Sequence, residues 1–406
     1  MLFRSYLVPT LVDVNVYTYS LDVAKSNWDI TVTVEVDGEI NKALYVDGNY
    51  QVVTGYSGAS AASVLADAGY SEYNTMGFYS DSEYTNYVDI DNVKFVDIAV
   101  LYTKMATLEK IVVDNYGIVK AVDTTISGDV VVPRLYKNGD DSIKTLYISS
   151  FNGCVDIENV YLPYGIINIG GFAFNDCENL SNILLPNSLK TLTGARNFSG
   201  TRITDLVIPS SIESISYFSD ASVFYNMPYL NTISINGSNS TYTVSGNCLI
   251  DKVNKRILIA TNKATIPTTP LELAPYSFAF RQTLDVINIP TTVTNIGYGA
   301  FYGCKGLGYV TISSGVKKIE GEAFAECAAL RQVVIKGSTL QEISKYAFYN
   351  CSKLETITFE DASLDWYVYD GHSTLIGAEF GVNDPAQNVI YFSKTYSTCT
   401  LRKKGY

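Results

Sequence analysis

The sequence has one histidine and two tryptophans in 406 residues, and only 17% of its residues are charged. No apolar run approaches the roughly 20 residues that span a bilayer. Each shortage removes something. A Ser-His-Asp or Cys-His device must use His372, which stands in the turn-like run Asp370-Gly371-His372-Ser373 and reads as a solvated turn residue. None of the seven cysteines shows Cys-x-x-Cys spacing, so zinc ribbons and dithiol redox motifs lack their frame. Basic residues are outnumbered, 29 Lys and Arg against 41 Asp and Glu, and a net charge of −12 argues against binding nucleic acid through its phosphates. There is no Gly-rich phosphate cradle. Asp89 and Asp91 match no full calcium loop and read as a strand-edge pair. Carboxylates are plentiful, yet no pair recurs in a way that marks a glycosidase. The expectation is no catalytic residue, no metal ligand and no cofactor. At the N-terminus, Pro9 and Asp13 interrupt the apolar run and no small-residue cleavage site follows, so no signal peptide is expected.

What is present is repetition. Phe301, Phe324 and Phe348 are spaced by 23 and 24 residues, each preceded by Ala and followed three residues later by Cys304, Cys327 or Cys351. A period of this length means a solenoid. Followed backward to Gly128, the Phe positions run 151, 174, 198, 224, 278, 301, 324 and 348. The one long interval, 54 residues, accommodates an insert at 235–267 that reads as a hairpin projecting from one edge. In the first copy Ile143 and Leu146 are matched to Ile166 and Ile169. Between Phe residues, Leu180, Ile183 and Leu185 match Leu284, Ile287 and Ile289, and also Leu330, Val333 and Ile335. Pro163, Pro186, Pro209, Pro267 and Pro290 follow the strand directly, where a residue that cannot donate to a ladder ends it. Stacked coils pair these strands in a parallel sheet and bury the Phe residues as a ladder. Cys154, Cys177, Cys304, Cys327 and Cys351 share one slot, which reads as a reduced buried row. Thr201 and Met227 replace Cys in the third and fourth turns, and extra residues before Phe198 and Phe224 predict a bulge.

The pattern Leu-x-x-Ile-x-Leu-Pro, Val-x-x-Ile-Gly, Ala-Phe-x-x-Cys resembles the BspA-like leucine-rich repeats of bacterial surface proteins, also found in some protists and bacteriophages. Asn239 to Tyr242 and Gly246 to Asp251 resemble that family's recurrent inserted element. The resemblance covers about 128–360. It implies adhesion, with a host surface protein or glycan as partner of the solenoid, at a cell surface or outside the cell; the lack of a readable signal peptide or anchor points as well to a place on a virion.

The fold class expected is therefore a β-rich leucine-rich repeat solenoid of short coils with an N-terminal β or α+β domain. The domains expected are 1–125, 126–360 and a C-terminal cap at 361–406, where Trp366 to Tyr369 and Asn388 to Phe392 read as strands. Within 1–125, strands are expected at 30–36, 44–46, 51–53, 95–102 and 108–119, and a helix over 57–68 between an N-cap at Ser57 or Ser60 and Gly69. This domain would dock to a virion or cell-envelope partner.

In each Leu-x-x-Ile-x-Leu strand the residues flanking the central apolar one face outward. Asn159, Tyr161, Asn182, Asp205, Thr232, Asn288, Tyr309, Thr311, Gln332 and Thr356 are the candidate binding residues, a short-chained and nearly uncharged stripe. It suits an extended neutral polymer or a protein edge, although Thr, Val and Asn also suit any exposed sheet. A virion component, a secreted adhesin, a purely structural subunit and a glycan-cleaving enzyme are the readings to separate.

Overall fold

The computed structural model describes residues 39–405 except 57, 139–140, 145–146, 219–220, 270, 362, 364 and 371–373, together with a short hairpin of strands Thr10–Asp13 and Val16–Thr18. The strand expected at 30–36, the N-cap alternative Ser57 and His372 lie outside the described residues. Two compact units form: 1–106 with 133–135, and 107–132 with 136–406.

In the first unit, strands Glu39–Val46 and Asn49–Tyr56 pair around Asp47-Gly48, both left-handed, within a five-stranded sheet that includes Val100–Thr103. The helix Ala61–Asp67 begins at Ser60, whose hydroxyl accepts the Ser63 N–H at 3.2 Å. It ends at left-handed Gly69, where the Tyr70 N–H returns to the Leu65 carbonyl. Its core is Ile40, Leu44, Leu65, Phe78, Phe95 and Leu101. The expected strand 95–102 is a 3-10 turn, Phe95–Asp97, followed by the strand. The expected strand 108–119 is also broken, into a 3-10 turn and the hairpin Ile111–Val113 with Ile118–Ala121, which extends a sheet of the second unit.

The second unit is a β-solenoid of about nine turns. Each regular turn carries two strands where the sequence announced one. The outer strand follows the Leu-x-x-Ile-x-Leu pattern, and a second, often only two residues long, follows the Pro turn, as at Asn168–Ile169, Thr191–Leu192 and Lys318–Ile319. Outer strands stack in parallel register, for example Tyr309 to Gln332 to Thr356. In the first copy Ile148 pairs with Ile169, and strands Leu135–Asn138 and Asp141–Lys144 pair with each other; Leu146, matched to Ile169 in the sequence, lies outside the described residues.

The third corner is the Ala-Phe turn. Phe151, Phe174, Phe198 and Phe224 stack at 5.4, 6.1 and 6.3 Å between ring centres, and Phe278, Phe301, Phe324 and Phe348 at 4.8, 5.0 and 5.4 Å. The Phe301 N–H donates to Ala323 O at 2.7 Å and the Phe324 N–H to Ala347 O at 2.8 Å, so rings and backbone share one register. The residue two after each Phe is left-handed, and so is the residue two before it except at Phe151 and Phe224. Tyr276 and Phe280, Glu322 and Glu326, and Tyr346 and Asn350 all have φ between 55° and 61°. Gly299 and Gly303 hold these places in the Phe301 turn, and a side chain on Gly299 would run into the Tyr276 ring.

The insert does not project. Strands Tyr242–Ser245, Cys248–Asp251 and Arg256–Ala260 join the second sheet through Leu271–Leu273. Cys248 to Asp251 and Ile257 to Ala260 are buried, with Leu249, Leu258 and Ile259 in the N-terminal core and Cys248, Ile250, Ile257 and Ala260 in the C-terminal one. Strands apolar on both faces cannot stand in solvent, so they form a layer of their own. Asn239 staples that layer: its Nδ2 donates to Ser210 O and Ile212 O, and its Oδ1 accepts the Thr241 and Tyr242 N–H groups. The Tyr242 hydroxyl accepts the Ile215 N–H at 2.9 Å. Gly246 is left-handed and presses on Thr265 O, where no Cβ fits.

Extra residues before Phe224 form a small antiparallel ladder, Tyr217–Phe218 with Ala221–Ser222. In the tail, strand Asp365–Tyr369 forms as expected, but 388–392 is helical, Pro385–Ile390 continuing into a π turn. Asp384 caps it, accepting the Ala386 and Gln387 N–H groups ahead of the Pro at its first turn. Trp366 and Phe392 pack on Phe359, covering the last turn.

Arg281 occupies the cysteine slot of the Phe278 turn and is fully buried. Its guanidinium donates to Met227 O, while Nε and the other terminal nitrogen find no partner. Burial pulls its pKa down to about 10, still far enough above neutrality that the cation enters the core charged. Two outcomes follow. Phe301→Ala or Phe324→Ala lowers stability by about 3–5 kcal/mol in denaturant melts. Arg281→Met raises it by about 1–4 kcal/mol, because an under-satisfied buried charge gives way to an apolar chain of similar volume; an unchanged midpoint would show the guanidinium to be satisfied.

Candidate recognition surface

The cysteines come first, since they carry the reactive atoms. Cys177, Cys304, Cys327 and Cys351 each donate the thiol to the carbonyl of the preceding turn's Phe, at 3.0, 3.0, 3.1 and 3.0 Å. The slot therefore selects a small group with one weak donor, more than a small hydrophobe. Thr201 answers with a hydroxyl bond to its own turn's Phe198 O at 2.8 Å. Burial pushes the thiol pKa up to about 11 at Cys154 and about 12 at Cys248, and well above the ordinary value at Cys177 and Cys327. Such thiols are neither nucleophiles nor ready metal ligands. Among the described residues no group of three or more His, Cys, Asp or Glu could hold a metal. Asp89 is engaged in a turn, accepting the Asn92 Nδ2 at 2.8 Å.

All ten predicted binding residues lie on the outer strands, and none is buried. They form two rows. Asn159, Asn182, Asp205, Thr232, Tyr309, Gln332 and Thr356 lie in the first, and Tyr161, Asn288 and Thr311 in the second. They are brought to one side of the repeat but not to one continuous sheet: the outer strands divide into ladders of three, two and four. Within the first ladder the amides chain together, Asn159 Nδ2 donating to Asp129 Oδ1 at 2.6 Å and Asn182 Nδ2 to Asn159 Oδ1 at 3.1 Å. Thr204 and Thr232 hydroxyls donate to Asp205 and hold its carboxyl below the usual range. Ion pairs Arg331–Glu355 and Lys336–Glu360, at 3.0 and 3.7 Å, frame the two ends of the last strands and leave the rows between them uncharged.

At the end of the middle ladder a cleft of about 490 Å³ opens between outer strand Thr232–Asn236 and insert strand Tyr242–Ser245. Ser234, Gly237, Ser238, Thr243 and Lys252 line it. In the parallel ladder the Thr232 N–H bonds backward to Thr204 O, so the amides of Ile233 and Ile235 face forward, toward this opening. Sequence reasoning missed the cleft because it took the insert for a protrusion.

The family described as BspA type leucine rich repeat region matches residues 144–263 and 258–375, in six copies. The chain belongs to this family. No curated protein matches the sequence. Among solved structures it is similar to the pneumococcal vaccine antigen PcpA, at 15% identity and TM-score 0.47 over 62% of this chain and 82% of that one. It is also similar to a leucine-rich repeat protein of Eubacterium ventriosum, at 19% and 0.41 over 61% and 82%, and to a leucine rich cell surface protein of Faecalibacterium prausnitzii, at 16% and 0.36 over 62% and 92%. The BspA-type solenoid is typically a non-enzymatic binding scaffold, and proteins of the family are generally found at cell surfaces. Among the described residues no helix is long and apolar enough to cross a membrane.

With thiol reagent at pH 8, the five slot cysteines of the native protein should react at least a hundredfold more slowly than partly exposed Cys399, and at equal rates after unfolding. Rapid native labelling of the slot would contradict the buried ladder.

Proposed function

We propose that this protein is a non-enzymatic adhesion and recognition protein that binds an extended host-surface polymer, glycan or protein, along the outer strands of its solenoid. The observation that carries this is the double row on the outer strands, charged among the ten residues only at Asp205 and interrupted by the polar cleft beside Ser234, where exposed amides, hydroxyls and tyrosine rings recur at the coil spacing. Repetition at that interval suits a ligand that is itself repetitive or extended, and the framing ion pairs keep charge away from it. Attachment falls to the N-terminal unit, which lacks the repeat. Of a cell envelope and a virion, the family's cell-surface character favours the envelope as its partner.

The test is an array of polysaccharides and extracellular matrix proteins probed with the full chain. Replacing Tyr161 and Tyr309 together by Ser should weaken the bound signal by about thirtyfold, the loss of roughly 2 kcal/mol expected for interface aromatics, with an unchanged melting temperature. Equal binding by wild type and variant would leave the stripe as ordinary exposed sheet.

A further inference from the structure

The Ala-Phe corner carries a second surface of quite different chemistry. Three of the stacked Phe residues are followed by tyrosine, as Phe224-Tyr225, Phe301-Tyr302 and Phe348-Tyr349. Ladder Phe side chains point into the core and their neighbours point out, so these rings stand along the corner with Tyr276, Phe280 and Tyr298 packed edge-on among them at 4.8 to 6.4 Å.

Between Tyr302 and Tyr349 the intervening turn has Ala325. The Gly303 N–H bonds to Ala325 O and the Glu326 N–H to Tyr349 O, so these are three successive layers. Two aromatic walls thus rise from layers two spacings apart, roughly 10 Å, over a floor one methyl high. The groove they make, about 270 Å³, is completed by Tyr346, Glu322 and Glu326. Tyr346 meets Tyr349 edge-on at 5.5 Å. Among the described residues neither glutamate has an ion-pair partner; Glu326 accepts the Asn350 Nδ2 at 2.8 Å, and the Tyr298 hydroxyl bonds Glu322. The described lining of the groove therefore offers π faces and two carboxylates, with no cation among its residues.

Elsewhere on the same corner the chain supplies the missing partner itself. The Arg196 guanidinium lies over the Tyr225 ring, 4.5 Å from its centre. Arg196 stands two residues before its Phe, in the row that Glu322 and Tyr346 occupy in later turns.

We propose that the groove of Tyr302, Glu322, Glu326, Tyr346 and Tyr349 is a binding site for an arginine side chain of a partner polypeptide. A guanidinium is planar, fits between two aromatic faces, and presents its edge donors to carboxylates at the base. Lysine would gain the charge attraction and lose the stacking and the fork. The site is separate from the outer strands, so it selects a basic protein segment whatever polymer those strands hold. An acidic chain of net charge −12 adds general attraction for such a segment.

The experiment is calorimetric titration of the full chain with the peptide acetyl-Gly-Arg-Gly-Arg-Gly-amide, and with the same peptide carrying lysine or the neutral isostere citrulline. Binding of the arginine peptide, at least tenfold weaker for citrulline, severalfold weaker for lysine and reduced in 0.5 M salt, is expected. Glu322→Gln with Glu326→Gln, and separately Tyr349→Leu, should each weaken it tenfold or more at an unchanged melting temperature while leaving array binding by the strand rows intact. Equal affinity for the arginine and citrulline peptides, indifference to either variant, a neutral oligosaccharide displacing the arginine peptide from the groove, or no heat with any peptide at millimolar concentration would overturn the assignment.

Discussion

The second unit depends on one contact repeated from layer to layer: a Phe ring stacked on the next Phe while its own N–H reaches the carbonyl before that Phe. Ring stacking alone would tolerate sliding, and a single hydrogen bond would tolerate rotation. Together they set height and azimuth at one point of each regular coil. The cysteine thiol three residues on, donating back to the previous Phe carbonyl, closes the same corner from inside. The remaining two strands of the coil then need only short ladders, which explains how two-residue pairings such as Lys318–Ile319 with Glu342–Ile343 persist.

The insert shows what happens when this contact is interrupted. Between Phe224 and Phe278 the ladder rings do not stack, and among the described residues only Tyr225, edge-on to Tyr276 and Phe280, joins the two corners; strands apolar on both faces fill the interior, and the core divides into two clusters on either side. Arg281 enters the thiol slot at this seam and reaches across to Met227 O. The same seam interrupts the outer ladders and opens the cleft beside Thr232–Asn236, so a disruption of the core appears on the surface as a feature.

Much of this was legible in the chain. Seven Phe intervals, the post-strand prolines and the Cys slot point to the solenoid, its register and the outward stripe, because a repeat states each constraint several times over. Other readings failed where only one copy existed to read. Asn388 to Phe392 looked like a strand until Asp384 and Pro385 were seen to cap a helix. The turn signal Asn138-Gly139-Asp140 stands between the paired strands Leu135–Asn138 and Asp141–Lys144, yet the partner of Ile169 is Ile148, because the register downstream of a single turn has no second copy to state it. The aromatic corner was visible as three Phe-Tyr pairs, but its tyrosines pass for surface residues until their spacing around Ala325 is known.

By itself the sequence determined the period, the identity of the buried rows and the alternation that turns a neutral stripe outward, since these follow from residue spacing and the two-residue repeat of a strand. The tertiary structure alone decided which non-repeating pieces join the stack. Burial of the insert, the second strand of each coil, the left-handed corner that displays Tyr346 and Glu322, and the grouping of outer strands into separate ladders all depend on contacts between residues at least one full coil apart. Such contacts leave no periodic trace in a single chain, because each arises from a neighbour in space that the local sequence does not name.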